Sequence, residues 1–377
     1  MEFDFYKEAE RSEAELIALI EALCAIPAPL HEERGRAKFV MNWLSENQLP
    51  GAYLDDFGNV ILPYHFCDEK YIAFIAHMDT VFPEKKAIPV THEGAIAECP
   101  GIGDDTTNMA AELLLARWVI QNKMELSYPL LFVWDTGEEG LGDLKGARGL
   151  MKEYDGQIAG VVALDAVYST MINRAVGSVR YRITIETEGG HSFRNFGSPN
   201  AIERAAALIQ KLYRQQLPQI PDAHTTFNVG MISGGTSVNT IAQSAKFLYE
   251  FRSDETEALS YMETQFKELL EEAKRDCKNL TAELIGRRPA GAGHAEKQTA
   301  LEKRWIDAAG VVLPDMNVKI IPGSTDCNMP LSQGIPAICV GIYRGGAAHT
   351  YEEWVDYSSL KTGYEILLRF VASFGQH

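Results

Sequence analysis

The chain of 377 residues is 46% hydrophobic and 10% aromatic, enough for substantial cores, and its length points to two domains. A net charge of -17 makes nucleic acid and anionic membranes poor partners, and no window approaches the ~20 apolar residues of a membrane span. Six cysteines without a Cys-x-x-Cys pair give no disulfide framework, and the opening lacks the basic start of a signal peptide, so a reducing cytoplasm is the expected location.

Ser12 to Leu23 reads as an amphipathic helix and Glu32 to Glu46 as a second. From Tyr71 an apolar run of strand length stops in the polar residues His77-Met78-Asp79-Thr80. Strand alternation sends His77 and Asp79 off the end on the same side. A metal-binding imidazole hands its other ring proton to a carboxylate or carbonyl, and Asp79 is placed for that neighbourhood. Alone, His-x-Asp is more often a strand meeting a polar turn.

Gly101-Ile102-Gly103-Asp104-Asp105-Thr106-Thr107-Asn108 comes next, then Met109 to Gln121, rich in Ala and Leu and read as a helix. Thr106, Thr107 and Asn108 are capping types, which puts Asp104 and Asp105 at a helix entrance that favours negative charge; plain capping is the competing reading. The apolar strand Pro129 to Trp134 then runs into Asp135-Thr136-Gly137-Glu138-Glu139-Gly140. Adjacent glutamates on a turn can point apart, one to a metal and the other to proton transfer. Gly160 to Leu164 is a further apolar strand, ending on Asp165. Up to here the rhythm is that of an α/β domain, a parallel or mixed sheet with helices on both faces.

The texture changes near Asn173. From Val176 the order is strand, helix, strand, strand, helix, strand: Val179, Tyr181, Ile183 and Ile185 alternate, and Ile202 to Leu212 follows helical spacing after Ser198-Pro199-Asn200. Thr225 to Ile232 and Lys246 to Phe251 are strands, Leu259 to Leu270 a helix, and Leu280 to Ile285 the closing strand. That is the α+β, ferredoxin-like split βαβ order. Gly286 to Gly293 reads as a linker back to the first domain, giving residues 1–175 and 291–377 to one domain and 176–290 to the other. Ala337 to Ile342 is a last strand, followed by the loop Gly345-Gly346-Ala347-Ala348-His349-Thr350. Ligands at several strand ends are where open α/β sheets place their sites.

In this order, His-x-Asp, Gly-x-Gly-Asp-Asp, Glu-Glu-Gly, Leu-Asp-Ala and a late His, the chain resembles the co-catalytic zinc exopeptidases of the aminoacylase, carboxypeptidase G and peptidase T group. The resemblance runs from Ile26-Pro27-Ala28-Pro29 and Asp56-Phe57-Gly58-Asn59-Val60 to Glu353. It implies that His77 and Asp165 bind one metal, Glu139 and His349 a second, and Asp104 bridges, with Asp79 behind His77 and a cis bond between Asp104 and Asp105. Glu138 matches the general base. Two metals roughly 3.5 Å apart polarise the scissile carbonyl and acidify a shared water, whose proton Glu138 carries to the leaving amine. Imidazole and carboxylate donors in an open site favour zinc, with cobalt or manganese able to substitute.

The inserted segment then corresponds to the family's lid and dimerisation domain, which implies a homodimer. Gly189-Gly190-His191-Ser192 holds the histidine expected to reach the substrate carbonyl, and Asn239 and Arg252 match substrate-recognition positions. Gly323-Ser324-Thr325-Asp326 is expected to line a pocket, and Cys327 to be a buried inert thiol. Thr106, where many relatives have lysine, and Ala242, where a proline is common, depart from the pattern without touching a ligand. The favoured substrate is a small peptide cleaved as by peptidase T. An N-acyl amino acid is the alternative, and a non-catalytic binding protein on this scaffold a third reading. Tetrahedral aminopeptidases share the ligand order but carry a barrel-like lid, against which the strand order from Val176 argues.

Overall fold

A computed structural model describes residues 3–277 and 279–375. The chain divides into two compact units, residues 1–175 with 292–377, and residues 176–291. In the first, the central sheet runs in the order Tyr53–Leu54, Val60–Tyr64, Leu130–Asp135, Tyr71–His77, Ile158–Leu164, Ala337–Val340, Thr170–Ala175, with Lys319–Gly323 pairing the last. The four strands from Leu130–Asp135 to Ala337–Val340 are parallel, and antiparallel partners flank them.

Their side chains divide cleanly. Phe74, Ala76, Phe132, Trp134, Val162 and Val340 pack with residues of the helices Phe5–Cys24, Asn108–Gln121, Ala295–Val312 and Leu360–Ala372. Ala73, Ile75, Leu131, Val133, Ala163 and Cys339 face Lys145–Glu153 and Asn328–Ser332. Cover on both faces is why these strands read as unbroken apolar runs rather than alternating ones.

Several boundaries differ from expectation. The first helix begins at Phe5, not Ser12, because Asp4 accepts from Lys7 N at 3.1 Å and caps it, while Phe3 and Phe5 pack on Trp118. Thr107 makes no side-chain cap to Asn108–Gln121; a π-type turn over Ile102–Thr107 precedes it, in which Thr106 and Thr107 donate to the carbonyls of Gly101 and Ile102. The residues after Ile342 form a hairpin, Arg344–Gly346 against Trp354–Asp356, rather than a plain loop. Trp354–Asp356 also pairs with Ile96–Glu98.

The inserted unit is a four-stranded antiparallel sheet in the order Thr225–Gly234, Ser244–Ser253, Gly177–Glu186, Leu280–Arg288, with Ala201–Leu212 and Thr256–Asp276 packed on it. This is the ferredoxin-like arrangement, not a barrel. Gly286 to Arg288, expected in the linker, continue the last strand: an irregularity between Leu284 and Gly286 restores the ladder, setting Arg287 opposite Val179.

Glu112 is a buried carboxylate inside the helix Asn108–Gln121. Oε1 accepts from Val133 N at 2.9 Å, Oε2 has no partner, and burial pushes the group well above the usual carboxylate range. A raised folded pKa contributes fully below the unfolded value of 4.5 and loses stability as pH rises past it, because the unfolded chain ionises first. Glu112→Gln keeps an acceptor for Val133 and removes the titration. It should raise the melting temperature by ~2 °C at pH 8 and leave it nearly unchanged at pH 4, as calorimetry would show; a pH-independent difference would contradict this reading.

Candidate metal centre

Three parallel neighbours deliver ligands at one end of the sheet. His77 ends its strand beside Asp135, whose chain turns within four residues to present Glu138 and Glu139; Asp165 follows Leu164 one strand over. Asp104 arrives on the π-type turn and His349 at the tip of the Arg344–Asp356 hairpin.

All five predicted ligands come together. His77 Nε2 lies 2.9 Å from Asp104 Oδ1 and 3.8 Å from Asp165 Oδ1. His349 Nε2 lies 3.0 Å from Asp104 Oδ2 and 3.1 Å from Glu139 Oε1. Asp104 thus turns one oxygen to each imidazole, with Asp165 on one side and Glu139 on the other. Donors bound at about 2.0–2.1 Å around a tetrahedral ion stand roughly 3.3 Å apart, so the spacing fits two divalent cations sharing Asp104. Among the described residues, His77, Asp104 and Glu139 also form a group whose ligand atoms lie within 4.8 Å of one another. The peptide bond between Asp104 and Asp105 is cis.

The crowding of carboxylates marks the charge such a site is built to receive. Burial, then the neighbouring Asp104, pushes Asp165 up to about 6; Asp104 and Glu139 push His349 up to about 11. A cation held by these residues would take the place of those protons.

Of the two acceptors expected for the His77 ring proton, the carbonyl is the one in place. His77 Nδ1 meets the backbone carbonyl of Asp79 at 3.0 Å, whereas the carboxylate is 3.7 Å away. That carboxylate instead accepts from Glu138 N at 3.1 Å and Glu139 N at 2.9 Å, fixing the turn that carries both glutamates. Glu138, Glu139 and Asp79 are all buried.

Four residues have supporting roles that the sequence reading did not assign. Asp105 accepts from His77 N at 3.1 Å and from Asn108 Nδ2 at 2.8 Å. Asn108, expected as a cap, also donates to Ala166 O and accepts from Ile342 N, joining the turns beyond three elements. Arg36 is buried and donates to Ile26 O and Met78 O from beneath. Glu353 accepts from the backbone of the Asp104 turn. The sequence places Asp105 and Asn108 at a helix entrance and Glu353 at the end of the family resemblance without these roles, and Arg36 shows as a charge on the apolar face of its helix beside Ala37 and Val40. Thr325 and Asp326, expected to line a pocket, are buried in the turn before Asn328–Ser332, and burial pushes the Cys327 thiol up to about 12, which keeps it inert.

Within the inserted unit, His191 and Asn239 are neighbours: Gly190–His191 pairs with Thr240–Ile241, and Ser192 N donates to Asn239 O at 3.0 Å. The exposed His191 ring accepts from Phe193 N through Nδ1 at 3.2 Å, which leaves the proton of the neutral ring on Nε2. Arg252 forks onto Glu250, with Nε to Oε1 at 3.0 Å and Nη2 to Oε2 at 3.2 Å.

A family model described as Peptidase family M20/M25/M40 matches residues 73–373. A tripeptidase from Staphylococcus aureus superposes with a TM-score of 0.77 at 21% identity, over 96% of this chain and 98% of that one. Aminopeptidase PepT from Bacillus cereus gives 0.74 at 20%, again over 96% and 98%. The YXEP protein of Bacillus subtilis, a dinuclear metal-binding peptidase, gives 0.64 at 16%, over 97% and 98%. At these identities the likeness is one of fold.

Proposed function

The chain belongs to peptidase family M20/M25/M40 and is a metal-dependent hydrolase of peptide bonds, and we propose that it acts as an exopeptidase on di- and tripeptides with Glu138 as its base. The observation that carries this reading is Asp104 standing between His77 and His349, with Glu138 beside the ligand Glu139. His77 and Asp165 would hold one cation, Glu139 and His349 the other, and Asp104 both. Bound there, two divalent ions, zinc by the donor set, supply Lewis acidity for the scissile carbonyl and the attacking water. Glu138 takes the water's proton and returns it to the leaving amine, while Asp79 keeps the Glu138–Glu139 turn in place.

His191 is assigned to the substrate carbonyl, for which an Nε2–H donor is the form required. Asn239 is assigned to substrate recognition beside it, and Arg252 to a substrate carboxylate in exchange with Glu250. A homodimer through the inserted unit is supported by the edge strand Thr225–Gly234, which exposes Met231 and Ile232. A reducing compartment is supported by six unpaired cysteines. No helix among the described residues is long and apolar enough to cross a membrane.

After reconstitution with zinc, cobalt or manganese, the protein should release amino acids from di- and tripeptides faster than from N-acetyl amino acids. His191→Ala should lower kcat on the best substrate about 100-fold with KM changed far less. Hydrolysis confined to acyl amino acids would replace the peptidase with a deacylase, and an unchanged kcat would remove His191 from the reaction.

A further inference from the structure

Glu353 stands four residues beyond His349 with 1% of its surface exposed. Its Oε2 accepts from Gly101 N at 2.9 Å, and its Oε1 from Gly103 N at 2.8 Å and Asp104 N at 2.7 Å. All three donors belong to the turn that delivers Asp104. Its backbone faces both ways as well. Cys99 N donates to Glu353 O at 3.0 Å, and Glu353 N donates to Thr350 O at 3.3 Å, beneath the loop that carries His349. In that loop Ala347 and His349 have φ of 56° and 65°, a region non-glycine residues hold only when their surroundings fix them.

Room is reserved for this clamp. A Cβ at Gly103 would lie 2.6 Å from Tyr343 Oη and 3.0 Å from Glu353 Oε1. The chemistry also demands a carboxylate, because three N–H groups use both oxygens and an amide offers a single acceptor oxygen.

We infer that Glu353 is a positioning residue that sets the bridging Asp104 against His349 and thereby governs occupancy of the second metal position, the one shared by Glu139 and His349. This rests on the two-metal reading above. The effect is asymmetric, since His77 has anchors of its own: its strand, Asp105 on its backbone N–H and the Asp79 carbonyl on its ring. His349 is carried in the loop at the tip of its hairpin, away from the central sheet, and Glu353 ties that loop to the Asp104 turn.

The test is a titration of the full-length metal-free protein with Zn2+ in competition with a chromophoric chelator, alongside kcat at limiting and saturating Zn2+. The unsubstituted chain should bind two equivalents. Glu353→Ala should retain one and hold the second at least tenfold more weakly, within the 10–100-fold typical of residues behind metal ligands. Glu353→Gln should fall between. In each variant kcat should drop at limiting Zn2+ and recover at saturation, which a merely structural defect would not do. A folded Glu353→Ala with two equivalents at native affinity, or with both weakened equally, would overturn the inference. Should that variant not fold, a native second affinity in Glu353→Gln would do the same. Fewer than two equivalents in the unsubstituted chain would overturn the two-metal reading itself.

Discussion

Replacing Glu138 by alanine should lower kcat about 10³-fold, or about 4 kcal/mol, while both metals stay bound. The reason lies in how the Glu138–Glu139 turn is divided. Glu139 directs Oε1 to His349 at 3.1 Å and is the glutamate proposed as a ligand, and Asp79 holds the turn through the backbone N–H groups of both glutamates. Removing that side chain therefore deletes a proton carrier and leaves the donors where they were. Elemental analysis should return the same metal content as the unsubstituted protein, with steady-state rates on a dipeptide reporting the loss. Undiminished turnover would mean another group takes the proton.

Asp104→Ala should be the more drastic change, taking activity to background, at least ~10⁴-fold down, and metal content with it. Among the described residues no other side chain is paired with both imidazoles: its two oxygens stand 2.9 Å and 3.0 Å from His77 and His349. Without it each half of the site keeps one histidine and one carboxylate, too few for tight binding at neutral pH. Excess zinc should not restore turnover, which separates this variant from those at Glu353. Two tightly bound metals in Asp104→Ala would refute the bridging role.

Three of the five candidate ligands, His77, Glu139 and Asp165, stood out because each follows an apolar strand that breaks off into charge, and the structure brings all five together. The ferredoxin-like order of the inserted unit was legible for a similar reason, since Val179, Tyr181, Ile183 and Ile185 alternate on a sheet covered on one face. What escaped depends on contacts distant in the chain. Glu353 lies about 250 positions from the N–H groups it accepts, and nothing near it in sequence distinguishes it from Glu352. Asn108 looked like a cap because capping residues and buried amide bridges are the same residue types. For Asp79 the sequence left carboxylate and carbonyl open, and how the chain bends after His77 brings the carbonyl to the ring. The small sheet that supports His349 was missed because Arg344–Gly346 and Trp354–Asp356 are three residues each, too short to show a period.

The first unit is split in sequence, with the other unit threaded between residues 175 and 292. Residues 1–175 contribute His77, Asp104, Glu139 and Asp165, yet His349 and the strand Ala337–Val340 that fills the sheet beside Ile158–Leu164 come last. A growing polypeptide emerging from the ribosome therefore exposes four donors long before the fifth is synthesised, and the inserted unit can fold in the interval. On the proposed two-metal reading, loading with both cations, and with it the onset of activity, would wait for translation of the segment that carries His349.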